Sequence, residues 1–168
     1  MRIRPATIAD IPAIRSLAYE IWHAHYPAII TVEQIEFMLG WMYSPEELQR
    51  QLRGTTHWEL AESDGEIVGF LSYDLEADRR VKLHKLYIAT VQQRRGYGGK
   101  LLAHTLEQAA QLGGTEVWMQ VNKRNTNAIA AYLKAGFHIA EEATFDIGGG
   151  FVMDDYLMAK AVGSSCSV

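Results

Sequence analysis

One continuous stretch limits the fold more than any other: "KLHKLYIATVQQRRGYGGKLLAHTLEQAAQLGGTEVWMQV", Lys82 to Val121. It opens as a β-like run of large residues and enters a turn of glycines and cations. Leu102, Leu106 and Ala109 then recur at helical spacing, and Gly113-Gly114 stops the helix. A second strand, "TEVWMQV", follows. Strand, helix over 98–111 and strand in one short run require a sheet with a helix laid on it.

The flanks extend this unit. "IRPATIADIPAIRSLAYEIW" reads as a short strand entering a helix. Thr7 and Asp10 are set as a capping box, Pro12 falls in the first turn, and Ile11, Ile14, Leu17, Ala18, Ile21 and Trp22 form the apolar face. Thr31 with Gln34, and Ser44 with Pro45, mark two more helix starts. "HWELAES" and "EIVGFLSYD" flank Asp64-Gly65, a hairpin signal. "NTNAIAAYLKAGF" is a helix with Asn/Thr capping and Gly136 as its stop. The last strands, "FHIAEEATFDI" and "DYLMAKAV", are separated by Gly148–Gly150. The expected fold is mixed α/β, a largely antiparallel sheet with helices on both faces. No linker divides it, so one domain is expected over 1–162, with 163–168 a flexible tail.

Bulk chemistry narrows the function. The chain has 168 residues and a net charge of -4, without the basic footprint of a nucleic-acid binder. The one cysteine, Cys166, has no metal-ligand spacing around it and lies in the tail, so neither a disulfide, a metal site nor a catalytic thiol is expected. No apolar run is long enough to span a bilayer, and "MRIRPATIAD" lacks the apolar core of a signal peptide. A cytoplasmic setting is the expectation.

The glycine turn has two readings. Gly96, Gly98 and Gly99 with Arg94, Arg95 and Lys100 make a tight, solvated turn, or they cradle an anion. A helix N-terminus leaves N–H groups unpaired and carries partial positive charge, and glycines let an anion approach the backbone. The pattern is not a Walker A loop, and a third glycine at 101 is missing for the dinucleotide fingerprint.

"QRRGYG", Gln93 to Gly98, resembles the Gln/Arg-x-x-Gly-x-Gly/Ala signature of the GCN5-related N-acetyltransferase (GNAT) superfamily. "IRPATIADIPAIRSL" resembles that family's first strand and helix, and "LHKLYI" its fourth strand. "NTNAIAAYLKAGF" resembles its Asn-x-x-Ala-x-x-x-Tyr-x-x-x-Gly-Phe segment. The resemblance implies a GNAT fold with the sheet splayed between the fourth and fifth strands. It implies acetyl-CoA as cosubstrate, with the pyrophosphate on the turn Arg94, Arg95, Gly96, Tyr97, Gly98, Gly99 and Lys100, and the pantetheine beside Leu86, Tyr87 and Ile88. Asn125 is implied to contact the cofactor or a water, although it and Asn127 are equally helix caps. Tyr132 matches the family's general acid toward the CoA sulfur; helical spacing alone makes it a core residue. His84 stands where many relatives carry a Glu base, and a neutral imidazole can do that job near neutral pH.

The resemblance further implies direct attack by a small primary amine, and the family commonly forms dimers through edge strands. "WHAHYPAIITVEQIEFMLGWMYSPEELQRQL" and the ending "TFDIGGGFVMDDYLMAK" look most like the polyamine (spermidine/spermine) branch. Glu20, Glu33, Glu36, Asp146, Asp154 and Asp155 are the carboxylates available to ammonium groups, and Trp22, Tyr26 and Trp41 the aromatic faces. Two alternatives stand beside this: transfer to a protein N-terminus or lysine, and an acyl-CoA sensor without turnover.

Overall fold

A computed structural model describes residues 1–163, so Cys166 lies outside the described residues. The strands are β1 (Arg2–Pro5), β2 (His57–Ser63), β3 (Glu66–Leu75), β4 (Arg80–Ile88), β5 (Glu116–Asn122), β6 (His138–Gly148) and β7 (Phe151–Ala161). The helices are α1 (Ile11–His25), α2 (Val32–Met42), α3 (Pro45–Arg53), α4 (Tyr97–Gln111) and α5 (Thr126–Lys134). Hydrogen bonding orders the strands β1-β2-β3-β4-β5-β7-β6. The β4–β5 pair is parallel, while β1–β2, β2–β3, β5–β7 and β6–β7 are antiparallel, and helices cover both faces.

Local chemistry explains the boundaries. Thr7 N–H donates to Asp10 Oδ2 at 2.7 Å, closing the start that leads into α1. Arg4 holds the same carboxylate through two hydrogen bonds, at 2.9 and 2.8 Å, and this pairing keeps the Asp10 carboxyl far below its ordinary value. Thr31 Oγ1 and Ser44 Oγ each accept a backbone N–H at 3.2 Å, from Gln34 and Glu47, and so cap α2 and α3. Asp64 and Gly65 both have positive φ, 55° and 83°, as a tight hairpin turn demands. Gly148, Gly149 and Gly150 all take positive φ and turn β6 into β7.

The described residues fall into two compact units, Met1–Tyr73 with Lys85–Leu101, and Asp74–His84 with the described residues from Leu102 onward. In the first, an aromatic core gathers Trp22, Tyr26, Tyr43, Phe70 and Tyr87, with centroids 4.5 Å apart for Trp22–Tyr26 and 5.5 Å for Phe70–Tyr87. The Lys85 ammonium is buried here over the rings of Tyr43 and Trp58, at 5.4 and 5.2 Å. Such cation–π contacts contribute about 2 kcal/mol when desolvated. In the second unit, Leu102, Thr105 and Ala109 of α4 are buried, as are Val117, Met119 and Val121 of β5, with Val81, Phe137 and Met158.

One glycine is fixed by a close approach. A Cβ on Gly69 of β3 would lie 2.5 Å from the Tyr87 carbonyl oxygen and 2.7 Å from Ile88 Cδ1. The bare backbone of β3 thus allows β4 its position at Tyr87–Ile88. Because the obstructing atom is backbone, Gly69→Ala is expected to destabilise the protein by about 1–3 kcal/mol, the usual range for overpacking. Urea unfolding measures it; a variant as stable as the parent would show that β4 can move aside.

Candidate functional site

Past Ile88, β4 ends in a chain of tight turns. Ala89 N–H donates to Val68 C=O at 2.8 Å and ties the strand end to β3. A short 3-10 turn over Thr90–Gln92 follows. The Gln93 amide donates to the Ile88 carbonyl at 3.3 Å and fastens the turn to β4. Arg94 and Gly96 then take positive φ, 63° and 78°. A non-glycine residue in that region is uncommon and marks a backbone held by its surroundings.

The turn delivers the chain into α4 at Tyr97, one residue before the expected Gly98. The first intrahelical bond runs from Lys100 N–H to Gly96 C=O at 3.1 Å, so the amides of Tyr97, Gly98 and Gly99 lie ahead of the ladder. A Cβ on Gly98 or Gly99 would meet nothing within 4 Å. The protein's own packing therefore does not require glycine at either place, and a side chain there would project into open space. Arg94, Arg95 and Lys100 are exposed around it. The Tyr97 side chain turns away, its hydroxyl 3.1 Å from Ser63 Oγ. The arrangement suits an anion: amides ahead of the helical ladder, a helix dipole and exposed cations.

On β4, Leu86 and Tyr87 are half-buried and Ile88 is 8% exposed. The Tyr87 hydroxyl lies 3.2 Å from that of Tyr26, with the ring against Trp22 and Phe70. Tyr26 thereby acts as a support for β4, a role sequence reasoning did not assign.

The remaining candidates belong to the second unit. His84 Nε2 is 2.9 Å from Asp74 Oδ2. A carboxylate accepting from Nε2–H places the imidazole lone pair on Nδ1, the tautomer a proton acceptor needs. Asp74 escaped the sequence analysis; its signal was the hairpin turn between β3 and β4, which brings the two strands side by side. Tyr132 is half-buried on α5, its ring 6.0 Å from that of Phe137, and its carbonyl accepts the Phe137 N–H at 3.0 Å. Asn125 is buried and caps α5, Oδ1 accepting from Ala128 N–H at 3.4 Å. Capping thus falls on Asn125, while Asn127 is exposed. No group of three or more metal-ligating side chains occurs among the described residues.

The carboxylates and aromatics read as acceptor contacts separate sharply. Trp22 is 2% exposed and Tyr26 9%, so both are core, and Trp41 is 56% exposed on α2. Glu20 and Glu33 are exposed, and Glu36 is bound to His23. Asp146 accepts the Gly148 N–H in the β6–β7 turn, and Asp154 is paired with Lys123 at 2.8 Å. Asp155 alone of the six is buried, at 4% exposure.

Comparison with known proteins agrees with this geometry. A family model described as "Acetyltransferase (GNAT) family" matches residues 18–137. An uncharacterized N-acetyltransferase of Mycobacterium bovis is 36% identical over 100 residues, 60% of this chain and 64% of the relative. The chain therefore spans a little under two thirds of that relative's length. A probable N-acetyltransferase of Mycobacterium tuberculosis is 29% identical over 147 residues, 83% of this chain and 80% of the other. Among solved structures, the PaiA N-acetyltransferase of Thermoplasma acidophilum, in complex with coenzyme A, superposes with a TM-score of 0.79 at 23% identity, covering 95% of this chain and 98% of that one. A strand tied to a glycine turn, open amides at the head of α4, and a family match over the elements that carry them lead to one conclusion: the chain belongs to the acetyltransferase (GNAT) family.

Proposed function

We propose that the protein is an acetyl-CoA-dependent N-acetyltransferase acting on a small primary amine, with polyamines the first class to test. The observation that carries this reading is the α4 head in a chain of this family: positive φ at Arg94 and Gly96 leads into the amides of Tyr97, Gly98 and Gly99, which lie ahead of the helical ladder, with open space where side chains at Gly98 and Gly99 would be. The coenzyme A in the PaiA structure supports the choice of ligand. When bound, acetyl-CoA supplies an acyl group already activated as a thioester.

The roles then follow from chemistry. The turn amides, with Arg94, Arg95 and Lys100, hold the diphosphate, and the β4 backbone at Leu86, Tyr87 and Ile88 lies along the pantetheine. A backbone N–H at Tyr87 or Ile88 meets the oxyanion that develops on the acyl carbonyl. His84, oriented by Asp74, receives the proton that the ammonium must lose before it attacks. Tyr132 gives a proton to the departing thiolate, and Asn125 steadies the cofactor or a water at the head of α5. No covalent acyl-enzyme is needed, because proximity and proton transfer suffice for aminolysis of a thioester. A second reading, an acyl-CoA sensor without turnover, draws on the His in place of the usual Glu.

Release of free thiol from acetyl-CoA against a panel of polyamines, amino acids, aminoglycosides and peptides tests the reading directly. Tyr132→Phe is expected to lower kcat by about 10²-fold or more while leaving acetyl-CoA affinity unchanged, the range for loss of a general acid; wild-type turnover would remove the assignment. His84→Ala is expected to lower kcat/KM and abolish the acidic limb that the imidazole contributes to the pH–rate profile. An unchanged profile would dismiss His84. Gly98→Val should fold normally, since its Cβ meets nothing within 4 Å, yet raise the KM for acetyl-CoA about tenfold or more by filling the anion's approach. Unaltered KM would place the cofactor elsewhere.

A further inference from the structure

Asp155 is at odds with ordinary burial rules. It lies on β7 at 4% exposure, and its Oδ1 is sealed from solvent without a hydrogen-bond partner among the described residues. A carboxylate in that condition costs several kcal/mol unless something outside the fold satisfies it. Its neighbours Asp154 and Lys123 satisfy each other instead, at 2.8 Å, with Glu142 as the second partner of the lysine.

Strand register shows where the carboxyl group is. Asp155 stands directly opposite Asn122 of β5, and directly opposed antiparallel residues share a face. Two and four residues back along β5, Gln120 and Trp118 lie on that same face. Trp118 pairs with Lys82 of β4, whose ammonium sits 4.7 Å from the indole centroid. His84, two residues beyond Lys82, continues that row. One sheet face of the second unit thus carries His84 with Asp74, buried Asn122, and Asp155. Pairing between β4 and β5 is confined to Arg80–Lys82 with Glu116–Trp118, so His84 and Asn122 both lie beyond its end.

The geometry points to Asp155 as the acceptor-side anchor: its carboxylate receives an ammonium group of the amine substrate on the same sheet face as His84, with Asn122 beside it. This deepens the acetyltransferase reading and rests on it. An incoming cation is the one ligand class that supplies both charge and hydrogen-bond donors to an unpaired buried carboxylate.

Titration gives the anchor a pH window. Burial, and then the like charge of Asp154, push the Asp155 carboxyl up to about 6, with Lys123 opposing. On β6, Ala143 is its direct partner and Glu141 flanks it; on β5 the facing side chains, Asn122 and Gln120, are neutral. A folded-state value above the ordinary 3.8 means that the ionised carboxylate weakens the fold as pH rises from about 4 through about 6. Amine binding follows the same ionisation and is lost as pH falls below about 6.

Asp155→Asn, isosteric and neutral, tests this with spermidine as the probe. If spermidine turns over poorly, the fastest amine of the panel that carries a second basic nitrogen replaces it. At pH 8 the KM for the amine should rise about tenfold or more, the size of a lost charge-assisted hydrogen bond, with KM for acetyl-CoA within about twofold of the parent. The acidic rise in amine KM expected of the parent should vanish in the variant. The melting temperature of the variant, equal to or above the parent's at pH 8, should lose its advantage at pH 5. An unchanged amine KM, or a variant melting well below the parent at pH 8, overturns the anchor and makes Asp155 structural. A parent without turnover on any amine, yet binding acetyl-CoA, instead defeats the acetyltransferase reading itself.

Discussion

The end of pairing between β4 and β5 is the constraint around which the second unit places three of its buried polar residues. The two strands are parallel and hydrogen-bond only over Arg80–Lys82 and Glu116–Trp118, although β4 continues to Ile88 and β5 to Asn122. Parallel strands need a crossover between them, and here it is the glycine turn and α4. Where the ladder ends, the residues change character. Val81, Val117 and Met119 are apolar and buried, whereas Asn122, Asn125 and Asp155 are polar and buried. Buried polar residues are costly, and these three fall together past the end of the ladder, where the acceptor side is proposed.

The supports around the candidate groups are ordinary folding chemistry. Gly69 lets β3 run close beneath Tyr87 and Ile88, and Ala89 donates to Val68 to hold the strand end. Trp22, Tyr26 and Phe70 fix the Tyr87 ring. The turn can adopt left-handed geometry at Arg94, against that residue's preference, because Gln93 is fastened to Ile88 and Gly96 absorbs the next reversal. Asp74 does for His84 what packing does for Tyr87, fixing an orientation that a solvated side chain would not keep.

Much of this was legible one residue at a time. The caps at Thr7, Thr31 and Ser44, the Asp64-Gly65 hairpin and the Gly136 stop are local, so their signals survive without knowledge of the fold. The glycine turn was legible for the same reason. The acceptor side was not. Trp22 and Trp41 look alike in sequence, both aromatic residues on amphipathic helices, yet one is core and the other is 56% exposed. Asp154 and Asp155 are adjacent and chemically identical, but strand alternation sends one to Lys123 and encloses the other.

The amino-acid sequence by itself determined the order of elements, their caps and stops, and the gathering of glycines and cations in one turn, because each depends on residue choices and backbone preferences within a few positions. Tertiary structure alone decided which carboxylate is buried, which histidine nitrogen faces Asp74, and which tyrosine braces β4. Those are properties of pairs far apart in the chain, such as Asp74 with His84, Tyr26 with Tyr87 and Asn122 with Asp155, and only register and packing bring such pairs together.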